Sequence, residues 1–295
     1  MASQTAPSCG PRWWSSFSDL PCRMIVPDLL GYAGTSKPTD ISAYNFKGQA
    51  DDLVEILKAE DISSVIIIGH DWGSVATQRF YLYHPEFVVG VVLMNVSYRP
   101  PTEEKFDLEA ANELTTKMFG YPQFAYWELF TADDGYQILN EHLESFWAAL
   151  HGDVDDWMKK MFCVRGAMKN FLLNDKQVPL KAYAMDPKWK NDFMERFTRD
   201  GFEAPTCWYK SYRNNIQWES ERSIPNERYV IQLPVLFIGC TGDAVCRSDL
   251  IQIPKNAGLL PDLEIQEIES GHWCAMEKPN EVAKHVRSFV TKRFP

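Results

Sequence analysis

Three widely separated residues, Asp71, Asp243 and His272, carry side chains that could work together as a nucleophile, an acid and a base. Asp71 is the centre of Gly69-His70-Asp71-Trp72-Gly73, which lies between the β-branched run Val65-Ile66-Ile67-Ile68 and an alanine- and aromatic-rich segment over residues 74–83. Such a run reads as a strand buried on both faces and the segment after it as a helix. A strand, a sharp turn and a helix in succession need glycine on either side of the apex, because Cβ atoms there would collide as the chain reverses. An aspartate at that apex has two uses. It can cap the following helix, or its carboxylate can attack a substrate. Attack on an acyl carbon gains nothing, since the product is an anhydride, whereas displacement at saturated carbon gives an ordinary ester. A histidine oriented by a second carboxylate could then activate water to cleave that ester. Epoxides and alkyl halides suit this chemistry.

The three residues can meet only if the chain brings distant loops to one edge of a sheet. Strands are predicted at 23–26, 65–68, 88–94, 234–239 and 263–268, the last alternating as an edge strand facing water on one side would. A helix is predicted after Asn45, with Phe46, Ala50, Leu53, Val54, Ile56 and Leu57 at helical spacing, and another over 279–294 with Val282, Val286 and Phe289 on one stripe. Alternating strands and helices argue a mostly parallel sheet flanked by helices. Asp243 directly follows one late strand and His272 the next, and loops that follow parallel strands converge at the carboxyl edge. Taken singly, Asp243 reads as a helix cap and His272 as a satisfied core or surface group; their loops and their order favour catalysis. From Pro100 to about Arg222 no β-branched run occurs, and six tryptophans sit among helical patterns. The chain therefore divides into a first core part, 1–97, a helical cap inserted over 98–225, and a second core part, 226–295.

Composition narrows the partners. The formal charge of -10 without a basic stripe disfavours nucleic acid and anionic membrane. No run reaches the roughly 18 apolar residues of a membrane span, and residues 1–16 have no apolar stretch of signal-peptide length. The seven cysteines are scattered without a Cys-x-x-Cys pair, which reads as reduced thiols rather than a disulfide framework or a zinc site. A soluble cytoplasmic protein with neither metal nor organic cofactor is the expectation.

With these residues in view, the chain resembles the epoxide hydrolases of the α/β-hydrolase fold. The resemblance rests on Pro27-Asp28-Leu29-Leu30-Gly31-Tyr32-Ala33-Gly34-Thr35, on the pentapeptide around Asp71, on Gly242-Asp243 and on Gly271-His272-Trp273, and so spans the chain from residue 22. The order nucleophile, acid, histidine is also that of the fold. The resemblance implies two cap tyrosines that hold and protonate the epoxide oxygen, carried onto Tyr126 and Tyr209, with Tyr121, Tyr183 and Tyr212 as fallbacks. An epoxide needs such an acid because its leaving group is an alkoxide, and a phenol near pKa 10 suits the task. Trp72, directly after the nucleophile, would give one oxyanion N–H. The implied substrate is a small apolar epoxide, with water, in a detoxifying role. The oligomeric state stays open, a homodimer among the options.

One departure stands out: the family carries a strand ending in His-Gly-x-Pro upstream of residue 23, and the only His-Gly here is His151-Gly152. The expectation is a shortened form of a longer parent, or a poorly active, aggregation-prone variant. A haloalkane or haloacid dehalogenase with the same triad is the enzymatic alternative. The non-enzymatic one is a crippled member that binds a small apolar ligand.

Overall fold

The computed structural model describes Phe17, Leu20 and residues 22–295. These form two compact units: one contains the described residues up to Pro27 together with Asn45–Glu103 and Gln217–Pro295, the other Asp28–Tyr44 and Glu104–Ile216.

The first unit is built on four parallel strands, β1 (Val65–His70), β2 (Val88–Met94), β3 (Val235–Cys240) and β4 (Leu263–Ile268), in that spatial order. Because strand side chains alternate between faces, Val91 and Leu93 of β2 and Val235 and Phe237 of β3 enter one apolar cluster, while Val92, Met94, Leu236 and Ile238 enter another. Helix Phe46–Ala59 covers the first face through Ala50, Val54 and Leu57, and helix Pro279–Arg293 covers the second through Val282, Val286 and Phe289. Both helices start where the sequence pattern places them. Asn45 caps the first by accepting from Gly48 N at 2.7 Å, and Pro279 opens the second. Phe237 is wholly buried between the layers, and truncating it to alanine would cost about 3 to 5 kcal/mol.

Two strand expectations need correction. Residues 23–26 form no strand. A strand exists only where a neighbour completes its ladder, and among the described residues β1 pairs on one side alone, with β2, so the described ladder stops short of them. Arg23 instead reaches the carbonyl of Glu60 with its guanidinium, and Met24 is 48% exposed. For the same reason β1 is not buried on both faces: it lies at the edge of the described sheet, and Ile68 is 38% exposed. β4 is the other edge strand, as its sequence predicts, yet its burial does not alternate sharply.

The second unit has no sheet among its described residues, only an isolated bridge between Gly152 and Leu180. Its helices include Leu108–Phe119, Leu143–His151, Pro187–Asp200 and Glu203–Arg213. They enclose an aromatic core in which Phe130, Phe146, Phe193, Phe197, Phe202 and Trp208 are all buried. Its loop 28–44 joins by way of Trp208, whose indole donates to the Leu30 carbonyl at 2.9 Å.

Candidate active site

The turn between β1 and helix Trp72–Tyr83 holds Asp71 at φ 54° and ψ −122°, a conformation that costs a non-glycine residue of order 1 to 3 kcal/mol. The strain persists because the turn is pinned on several sides. A Cβ at Gly69 would fall 2.1 Å from the Gly73 carbonyl oxygen, so only glycine permits the approach. Ser74 Oγ donates to the Gly69 carbonyl at 2.7 Å and accepts from Met94 N at 3.0 Å, which ties the turn to β2. One helical turn further on, Arg79 clamps the buried Glu221 through Nε at 2.8 Å and Nη2 at 3.2 Å. Asp71 makes no side-chain capping bond to the helix it precedes. The capping reading of this residue therefore falls.

His272 faces the Asp71 carboxylate. Its Nδ1 lies 2.6 Å from Asp243 Oδ2, so Nδ1 carries the hydrogen and Nε2 is left to face Asp71 Oδ1 at 3.6 Å. The longer distance is not a direct hydrogen bond. Asp243 is buried and fully engaged. Its Oδ1 accepts from the backbone N–H groups of Val245 at 3.0 Å and Cys246 at 2.9 Å, and its Oδ2 accepts from Asn95 Nδ2 at 2.8 Å as well as from His272. Such a carboxylate cannot swing away, and it fixes both tautomer and ring orientation.

Electrostatics agree with this division of roles. Burial pushes the Asp243 pKa up, but the His272 imidazole and the bonds from His272, Cys246 and Asn95 outweigh it and hold Asp243 below the usual carboxylate range. For His272 burial works downward, and the neighbouring Asp243 and Asp71 carboxylates reverse it, leaving the imidazole above its ordinary value. At Asp71 burial opposes ionisation while the imidazoles of His272 and His70 favour it. His70, pushed down to about 4 by burial and by the adjacent His272, stays neutral. Its Nε2–H donates to the His272 backbone carbonyl at 2.8 Å and holds that loop against the turn.

Sequence reasoning did not find Asn95. It directly follows β2, at φ 66°, and is completely buried. Its Oδ1 accepts from the thiols of Cys240 at 3.6 Å and Cys274 at 3.4 Å, so its NH₂ must face Asp243. The available signal was its place: like Asp71, Asp243 and His272, it sits just past the carboxyl end of a parallel strand.

In the second unit Tyr126 and Tyr209 lie together, ring centroids 6.0 Å apart and nearly perpendicular. Both present edges to Trp127 and Phe130, at centroid distances of 6.4 and 5.3 Å for Tyr126 and 5.2 and 4.9 Å for Tyr209. The fallback tyrosines are engaged differently: Tyr121 lies under Lys159 Nζ at 4.8 Å, Tyr183 Oη meets His151 Nδ1 at 3.1 Å, and Tyr212 packs on Phe106 and Trp127. Trp72 opens the helix after Asp71, so its backbone N–H sits at the positive end of the helix dipole. The expected loss of an upstream strand and His-Gly-x-Pro turn falls largely on residues 1–21, which apart from Phe17 and Leu20 lie outside the described residues.

Residues 6–279 match the family described as alpha/beta hydrolase fold, beginning upstream of residue 22, where the motifs first carry the likeness. The chain belongs to that family. Among its relatives are bifunctional epoxide hydrolase 2 of Rattus norvegicus, 26% identical over 88% of this chain and 45% of the relative, and an epoxide hydrolase of Neurospora crassa, 26% identical over 92% and 79%. The chain thus spans about half the length of the first of these. A solved epoxide hydrolase of Vigna radiata superposes with a TM-score of 0.73 at 21% identity, covering 95% of this chain and 88% of that one. Another, from an endophytic Streptomyces, gives 0.70 at 24% identity over 90% and 79%. Within this α/β-hydrolase-fold family, the elbow of the present chain carries an aspartate where the fold's hydrolases commonly carry serine.

Proposed function

We propose that this chain opens small apolar epoxides to vicinal diols through a covalent ester on Asp71. The observation that carries the reading is the pairing of an elbow aspartate free of capping duty with an imidazole whose Nδ1 is fixed on Asp243 and whose Nε2 faces the aspartate at 3.6 Å. The epoxide hydrolase relatives support the same substrate class.

In the first step Asp71 Oδ attacks a ring carbon, the carbon–oxygen bond breaks, and the departing alkoxide takes a proton from Tyr126 or Tyr209. In the second, His272 Nε2 removes a proton from water, and the hydroxide adds to the Asp71 carboxyl carbon. The Trp72 N–H donates to the resulting oxyanion. Collapse expels the diol oxygen, which takes the proton back from His272; the Asp71 carboxyl then sheds the proton of the added hydroxyl, which balances the one given up by the tyrosine, and both groups return to their starting state. The 3.6 Å separation suits a base that acts through water rather than on Asp71 itself. Asp243 stays ionised throughout and stabilises the transient imidazolium. The paired tyrosines favour an alkoxide leaving group, and so an epoxide over a halide, which needs no proton.

The deciding experiment replaces His272 by glutamine and adds an epoxide. Attack proceeds while hydrolysis lacks its base, so intact-protein mass should increase by one substrate, with the adduct mapped to Asp71. A His272→Gln chain that turns over diol at the parent rate without an adduct would overturn the mechanism, and halide release from a bromoalkane without any diol from epoxides would move the chain to the dehalogenases.

A further inference from the structure

Among the described residues, one group of three potential metal ligands stands out: Asp71, Cys246 and His272 each offer a donor atom, and the three atoms lie within 4.8 Å of one another. We infer that these residues form a binding site for a thiophilic divalent cation of the zinc type. By taking up Asp71 and His272, the bound cation would switch the site off.

Three observations lead there. Cys246 is held in place by the same turn that holds Asp243, since its backbone N–H donates to Asp243 Oδ1 at 2.9 Å. The thiol is thus carried by the turn whose backbone N–H groups hold Asp243. Next, the bond from His272 Nδ1 to Asp243 at 2.6 Å reproduces the carboxylate–imidazole arrangement that orients histidine ligands of zinc and increases their basicity, with Nε2 as the coordinating atom. Lastly, the spacing is close to what a tetrahedral ion requires. Bonds of about 2.0 to 2.3 Å to nitrogen, oxygen and sulfur put ligand atoms roughly 3.3 to 3.8 Å apart. The 3.6 Å between His272 Nε2 and Asp71 Oδ1 lies in that range, and the sulfur needs to come in by at most about 1 Å.

The ligand set also names the metal class. One thiolate, one imidazole and one carboxylate suit zinc or cobalt, whereas magnesium and calcium select oxygen-only shells. Coordination replaces the S–H bond of Cys246 by a metal–sulfur bond and releases the proton to solvent. Asp71 and the thiolate together then balance the two positive charges of the ion, and a fourth position stays available to water. Asp71, Cys246 and His272 are buried, retaining 9%, 9% and 8% of their surface.

That occupancy suppresses turnover rests on the reading of Asp71 and His272 as nucleophile and base; that the site binds metal does not. The test therefore reads binding first. Cobalt(II) is titrated into the full chain with Cys9 and Cys22 changed to serine, which removes the cysteines near the N-terminus as background. The expected result is a tetrahedral cobalt spectrum with a sulfur-to-cobalt charge-transfer band that zinc bleaches and magnesium or calcium does not. Cys246→Ser should erase the charge-transfer band, and Asp71→Asn should weaken cobalt binding at least tenfold, which keeps the test decisive should the serine variant not fold by circular dichroism. Absence of the band in the parent chain, or a band that survives Cys246→Ser, would overturn the site. Epoxide turnover is then followed with and without zinc, each variant normalised to its own metal-free rate: zinc should suppress the parent at least tenfold more than Cys246→Ser. Binding without any epoxide turnover would sink the proposed function and leave the metal site standing.

Discussion

The sheet-bearing unit and the helical unit hold their candidate reactive side chains by opposite means. Asp71 and Asn95 sit at φ 54° and 66°, backbone values that side chains resist, and they are kept there by Ser74, by the glycine at 69 and by hydrogen bonds to Asp243 and two thiols. Tyr126, at φ −64° and ψ −21°, and Tyr209, inside helix Glu203–Arg213, have relaxed helical backbones and are fixed by aromatic edges instead. A nucleophile must point at a defined atom, which strain overcome by many polar bonds can secure. A general acid needs only to be within reach of an oxygen, and rings packed against rings suffice for that.

If this contrast is right, the largest effect comes from relaxing the strained side. Asp71→Gly should abolish diol formation, on the order of 10⁴-fold or more for loss of a nucleophile. It should at the same time stabilise the chain by about 1 to 2 kcal/mol, because glycine accepts φ 54° without penalty. Melting by circular dichroism checks the second half. A melting temperature that falls would mean that the turn is not strained.

On the relaxed side, loss of one phenol should slow epoxide opening modestly because its neighbour still donates. Tyr126→Phe combined with Tyr209→Phe should cost about 10² to 10⁴-fold in rate, with little change in melting temperature, since the ring contacts remain. A double variant that opens epoxide at the parent rate would take both tyrosines out of the reaction.

A smaller effect belongs to Asn95→Ala. Asp243 loses one of four donors, and the buried carboxylate oxygen keeps only His272, so ester hydrolysis should slow about 10 to 100-fold. Attack by Asp71 does not use this bond. Rapid-quench kinetics should therefore show ester accumulating in Asn95→Ala, a pattern that general destabilisation would not produce; equal slowing of both steps would remove its positioning role.

The mildest perturbation is pH. In the proposed reaction His272 serves as a base only when neutral, and Asp243 and Asp71 hold its pKa above the ordinary value of about 6.5. Turnover should fall as pH drops through that raised pKa, with an acid limb centred above about 6.5. For stability the signs differ between partners. The His272 contribution is fully present below its unfolded pKa and fades as pH rises through the folded one. That of Asp243, whose pKa is lowered, is present above its unfolded value and fades as pH falls. Comparing melting temperature against pH for the parent and His272→Gln isolates the first of these.

Local pattern was enough for much of this molecule. Glycines flanking Asp71, the β-branched run of β2, the apolar run of β3, the Asn45 cap and the apolar stripe of residues 279–293 are short-range signals, and each produced the element it announced. The order of Asp71, Asp243 and His272 past the ends of parallel strands was legible as well, because parallel topology itself gathers those loops. What distant contacts decide could not be read. Residues 23–26 have strand-like composition but no neighbouring ladder among the described residues, and Ile68, core by its pattern, lies at an edge of the described sheet. Tyr126 and Tyr209, out of twelve tyrosines, were nameable only through the likeness of their segments to a family, not from local pattern, because what brings the two rings together is packing on Trp127 and Phe130 between segments far apart in sequence. Asn95 and Cys246 gain their meaning only from the carboxylate they share, Asp243, one through a side-chain amide from β2 and the other through a backbone N–H in a neighbouring turn. The sequence alone determined which candidate groups are present and their order along the chain. The tertiary structure chose the company each group keeps, since hydrogen bonds and ring contacts across such separations exist only once the chain has folded.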